Sequence, residues 1–141
     1  MGKVYDTKID DGIATFTFTN NSGEVFSEFK VNPADVGIAA RVEETMEFWD
    51  TLEDKFNASN SPSDIKKLND QIEDQFRYIL GAKACEKLFS NLITATTILP
   101  SGDLFAFVVL DKLIAYITPE LKKRNEKSQK AVEKYTAKYK K

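Results

Sequence analysis

The alternation at residues 13–19, Ile-Ala-Thr-Phe-Thr-Phe-Thr, constrains the fold of this chain more than any other run in it. Successive side chains on a strand point to opposite faces, so Ala14, Phe16 and Phe18 share one face and the threonines the other. Asn20-Asn21-Ser22-Gly23 comes next, a run of residues that tolerate the positive φ of a tight turn. Residues 24–31, Glu-Val-Phe-Ser-Glu-Phe-Lys-Val, then make a second strand with Val25, Phe29 and Val31 on one face. The pair reads as a β-hairpin. Two strands alone are marginal in water, so this one has to pack on helices or add to a partner's sheet. Phe16, Phe18, Phe26 and Phe29 exceed what two strands can hide on one side, and the sharper expectation is that the hairpin's edge or second face meets another chain.

Beyond the hairpin the chain is helical by periodicity. Asn32-Pro33-Ala34-Asp35 is an entry signal: Asn32 can cap, Pro33 suits a first turn and Asp35 favours the positive helix end. Ile38, Val42, Met46, Trp49, Leu52 and Phe56 then recur at three- and four-residue steps, the stripe of one continuous helix, with Phe48 off the stripe as an exposed aromatic contact. Asn57 to Ser63 is a loop by composition, Ser63 caps a helix over 64–80, and Gly81 ends it. Ile65, Leu68, Ile72, Phe76, Ile79 and Leu80 form its stripe. Residues 82–90 read as a short helix burying Leu88 and Phe89, and residues 91–99 stay open between a strand and a linking segment. After the break at Pro100-Ser101-Gly102, Asp103 or Ser101 caps a broadly apolar helix reaching Ile117. Thr118-Pro119-Glu120 marks either a kink or a fresh helix start, and the fresh start is the reading adopted.

Charge divides the chain at that point. Residues 120–141 hold nine Lys/Arg and three acids, a net of +6, while the preceding 119 residues hold eleven and nineteen, a net of −8. Such asymmetry is the mark of an interaction tail. The organisation expected is a hairpin-plus-helical domain over 1–119 and a basic, helical, partly disordered tail over 120–141. The fold class is α+β, mostly α: an N-terminal β-hairpin packed on about four helices, with a protruding basic C-terminal helix.

The residue inventory narrows the chemistry. The chain has no histidine, so the commonest general base and metal ligand is missing, and neither a Ser/His nor a Cys/His nucleophile pair can form within it. Its one cysteine, Cys85, sits in an apolar helical pattern and reads as a small buried residue. The carboxylates Glu43, Glu44, Glu47, Glu53, Asp54, Asp70, Glu73 and Asp74 read as solvated helix faces. No phosphate loop and no calcium loop is present. We therefore expect no catalytic residue, no cofactor and no metal. The most apolar run is broken by Asp111 and Lys112 and is too short to span a bilayer. The N-terminus carries no signal-peptide pattern. The expected location is the cytoplasm.

The candidate partner contacts are Phe48, Lys122, Lys123, Arg124, Tyr135 and Tyr139. A nucleic-acid-binding regulator acting through the basic tail is the alternative reading, with lysines on phosphates and tyrosines stacking on bases. A single Arg among nine basic residues argues against it, because Arg is preferred for bidentate contacts.

The order of elements, together with three segments, resembles a known family. Phe29-Lys30-Val31-Asn32-Pro33-Ala34-Asp35-Val36-Gly37-Ile38-Ala39-Ala40-Arg41-Val42-Glu43-Glu44 is similar to the strand-to-helix junction of small tail assembly chaperones of long-tailed bacteriophages and prophages of Gram-positive bacteria. Asp74-Gln75-Phe76-Arg77-Tyr78-Ile79-Leu80-Gly81 resembles the aromatic helix before their Leu-Phe turn, and Thr136-Ala137-Lys138-Tyr139 resembles their tails. Residues 91–102 depart from the family, which more often has a polar turn and an immediate helix there. The resemblance implies a non-catalytic chaperone that coats the tape measure protein, recruits tail tube protein subunits, self-associates and works in the host cell cytoplasm, with no membrane partner.

Overall fold

The computed structural model describes residues 2–32 and 35–139, the last five of these by backbone alone. An antiparallel hairpin, β1 (Ala14–Thr19) and β2 (Val25–Val31), precedes five helices among the described residues: α1 (Val36–Glu44), α2 (Met46–Ala58), α3 (Pro62–Leu80), α4 (Ala82–Leu88) and α5 (Phe105–Tyr139). The fold is α+β and mostly α, with a long C-terminal helix, as the sequence implies.

The hairpin carries all four phenylalanines against the helices, and a bulge makes this possible. Phe18 pairs with Ser27 but Thr19 pairs with Val25, so Phe26 is the extra residue on β2. The bulge turns the Phe26 ring toward Phe18 and Phe105, with centroids 6.4 and 6.0 Å away. It also turns Val25 out to solvent, so the expected core face of Val25, Phe29 and Val31 keeps only its last two members and gains Ser27. The opposite face is Thr15, Thr17, Thr19 and Lys30, all exposed. The second face of the hairpin therefore carries no aromatic ring. Ser27, buried on the core side, donates from its Oγ to the Leu88 carbonyl at 2.6 Å and ties β2 to the end of α4.

A run of ring contacts links the hairpin to the helices. Phe16 stacks on Phe29 at 4.9 Å and meets Tyr116 edge-on at 4.8 Å. Phe18 meets Phe105, Phe105 meets Phe89, Phe89 meets Phe76, and Phe76 meets Trp49, all with centroids between 5.2 and 6.1 Å. Each pair adds roughly 0.5–1.5 kcal/mol beyond its buried area.

The single helix expected through residues 38–56 is two helices. Thr45 (φ −96°, ψ 0°) ends α1. Its hydroxyl donates back to the Val42 carbonyl and accepts the indole N–H of Trp49, both at 2.8 Å. A threonine hydroxyl that offers the backbone this alternative bends a helix. Ile38, Val42, Trp49 and Leu52 remain buried, but Met46 leaves the core. Asp35 caps α1 by accepting from the Gly37 N–H at 2.8 Å, the role expected of Asn32; Pro33 lies outside the described residues.

α3 begins two residues before its expected start. Ser61 rather than Ser63 is the cap, accepting from the Asp64 N–H at 3.2 Å, with Pro62 in the first turn. Leu68, Ile72, Phe76 and Ile79 face the core, and Gly81 with φ +97° stops the helix. Arg41 donates from Nε to the Ile79 carbonyl at 3.1 Å, so a cation on α1 neutralises the negative end of α3.

Residues 91–103 form turns and one isolated bridge, Ile98 to Leu104. They serve as the cap of α5: the Thr97 and Ala95 carbonyls accept from the Phe105 and Ala106 N–H groups at 2.9 and 3.0 Å. Asp103 and Ser101, the expected caps, bond to each other instead at 3.0 Å. Asn69 of α3 holds this loop, its Oδ1 accepting from both the N–H and the hydroxyl of Thr96 at 3.0 Å. α5 then buries Phe105, Ala106, Val109, Leu110, Leu113 and Ile117 and continues past Pro119 without a new start. Thr118-Pro119-Glu120 is thus a site inside one helix of 35 residues.

Candidate protein-interaction surfaces

The basic residues singled out from the sequence separate into two kinds. Lys122 and Lys123 are exposed. Arg124 is half-buried and fully engaged: it donates from Nε to Glu120 at 3.0 Å, from Nη1 to Asn32 Oδ1 at 3.2 Å and from Nη2 to the Gly12 carbonyl at 3.1 Å. The planar guanidinium bridges three partners that a lysine could not reach together. Arg124 therefore anchors α5 to the segment on either side of the hairpin and is not free for a phosphate. Gly12, with φ +71°, lies so close to this guanidinium that a Cβ there would sit 2.5 Å from Nη1.

Phe48 is half-buried, not an exposed contact. Its ring meets Trp49 edge-on at 5.2 Å and is covered by Lys55, whose Nζ lies 4.3 Å from the ring centroid. The side chains of Tyr135 and Tyr139 lie outside the described residues. The structure thus leaves Lys122 and Lys123 as exposed members of the expected contact set and does not bring them together with Phe48.

A surface that the sequence pattern does not announce lies between α1 and α5. Ala39, Val42 and Met46 face Ile114 and Ile117 across a groove of about 280 Å³, with Glu43 and Thr118 at its rim. It exists because the bend at Thr45 lifts Met46 out of the stripe. The only signal in the sequence is that threonine beside the apolar stripe, between Val42 and Trp49. A second apolar depression, of about 310 Å³, is formed by Phe29, Leu80 and Ala84 and is ringed by Lys30, Lys83, Lys87 and Glu28; Lys87 and Glu28 approach to 3.8 Å.

The acidic side chains of α2 are exposed as expected. Glu73 on α3 differs. Burial pushes its carboxyl above the usual value of 4.5, reinforced by Asp70 and Asp74 and opposed by a hydrogen bond from Asn69 and the charge of Arg77. Burial also raises the Cys85 thiol, which suits a core residue. Tyr78 on α3 donates its hydroxyl to Glu44, and that bond raises the phenol.

Among the described residues no group of three or more Asp, Glu, Cys or His side chains could hold a metal ion. No described helix is long and apolar enough to cross a membrane. Compared with known proteins, the chain matches no family model, no curated protein and no solved structure.

Proposed function

We propose that this chain is a non-catalytic tail assembly chaperone that shields apolar stripes of a helical tape measure protein and recruits tail tube subunits. The observation that carries the reading is the groove between α1 and α5. Its walls are apolar side chains at three- and four-residue steps, Ala39, Val42 and Met46 on one helix and Ile114 and Ile117 on the other, the kind of lining that takes up an amphipathic helix. Glu43 at the rim favours a partner with a basic residue beside its apolar stripe. The order of elements, a hairpin feeding a helix through the Asn32-to-Asp35 junction, supports it through the resemblance of that junction to the family's.

Co-expression with a tape measure candidate, sought in the same gene cluster, tests the reading. The expected outcome is more soluble partner and co-purification of the two, both reduced by Met46→Glu, which changes an already exposed side chain at the groove. A partner that stays insoluble, or one captured equally by Met46→Glu, contradicts it.

A further inference from the structure

Every described side chain from Asn125 to Lys134 is exposed. By itself a helix of about 15 residues is at the margin of stability in water. Lys123, Lys127, Lys130 and Lys134 recur at steps of four, three and four residues, which puts four like charges on one face, with Glu126 and Glu133 beside them. Like charges at that spacing destabilise a helix. None of the four makes an ion pair within the chain among the described residues.

The body carries the complementary pattern. Glu43, Glu47, Asp50 and Asp54 recur at the same steps, four, three and four, and all are exposed. The last three lie on α2, with Glu43 one turn earlier across the bend at Thr45. None of them forms an ion pair among the described residues. The spacing is the same read in either direction, so the two stripes match whether the helices dock parallel or antiparallel. Their lengths agree too: at 1.5 Å per residue, α2 spans about 20 Å and residues 125–139 about 22 Å.

We infer that the distal half of α5 docks its lysine stripe on the acidic stripe of α1–α2 in a second copy of this chain. Each stripe then relieves the self-repulsion of the other, and the contact is weak and salt-dependent because its ion pairs are solvent-exposed. The two stripes carry the inference by charge and spacing, and its test leaves Glu43, which the acidic stripe shares with the rim of the α1–α5 groove, unchanged.

Sedimentation velocity on the full chain tests it. Three proteins are compared: wild type, a tail-reversed variant (Lys127→Glu, Lys130→Glu, Lys134→Glu) and a body-reversed variant (Glu47→Lys, Asp50→Lys, Asp54→Lys). Far-UV circular dichroism and cooperative melting establish that each is folded; if a reversed variant is not, the corresponding Gln or Asn set replaces it, and loss of association is then the readout. Wild type is expected to associate at low salt and to weaken at least about tenfold between about 30 and 300 mM salt. Each reversed variant alone is expected to be monomeric, and an equimolar mixture of the two to recover association. A monomeric wild type at low salt, or a mixture that stays monomeric, overturns the inference. So does a wild type whose tail binds duplex DNA or RNA but no second copy.

Discussion

At the scale of single residues, Thr45 does two things at once. It bends the α1–α2 segment and accepts the indole N–H of a tryptophan that is 4% exposed. Replacing it by valine keeps the shape and removes the acceptor, leaving a buried donor without a partner. Thr45→Val is expected to cost about 1–3 kcal/mol in urea unfolding; an unchanged midpoint would mean that the indole finds water instead. Glu73 gives the pH dependence. A raised carboxyl pKa means that the folded chain holds this proton more tightly than the unfolded one. Stability from this group is therefore fully present below pH 4.5 and is lost as pH rises through the folded value. Glu73→Gln, which keeps an acceptor for Asn69, is expected to raise the melting temperature at pH 7 and leave it nearly unchanged at pH 4. The reverse ordering would show that the Asn69 bond, not burial, dominates at this carboxyl.

At the scale of elements, the part of the fold legible in the sequence is the part that local pattern dictates. The hairpin comes from alternation at residues 13–19, and α3 from its stripe ending at Gly81, although its start lies at Ser61-Pro62 and not at Ser63. The rest depends on partners distant in sequence. Nothing in residues 24–31 marks Phe26 as the bulged residue; the ring cluster around Phe105 decides it. The stripe from Ile38 to Phe56 looks continuous because a threonine is neutral within a helix until its hydroxyl finds Trp49. The cap of α5 comes from backbone carbonyls of Ala95 and Thr97, which no side-chain signal announces. Pro119 carries a sound local signal for a helix start, yet it sits within α5, where it leaves the Ala115 carbonyl without its helical partner. The buried Leu113 and Ile117 before it and the Arg124 anchor after it hold the helix together across that gap. Pro119→Ala is therefore expected to raise stability by about 1–3 kcal/mol and to add helical signal in far-UV circular dichroism. A loss of stability would favour a separate start at Thr118. The interaction surfaces divide in the same way. The charge contrast is visible from composition, whereas the groove needs two helices about seventy residues apart, brought together by packing.

At the scale of the whole molecule, a core of packed rings joins the hairpin to the helices, and the charges are sorted along the chain. The aromatic run from Phe16 to Trp49 fixes the hairpin on the helices, and Arg124 locks the root of α5 beside Gly12 and Asn32. The apolar groove and the acidic stripe meet at Glu43, and the lysine stripe lies on the distal half of α5. We propose that the α1–α5 groove receives an amphipathic helix. Hydrogen exchange on the chain, with and without a peptide spanning an amphipathic helix of a tape measure candidate, tests this most directly. Added protection is expected in residues 36–46 and 110–118 and is abolished by Met46→Glu; no added protection there, or protection confined to residues 120–134, would contradict a helix-binding groove.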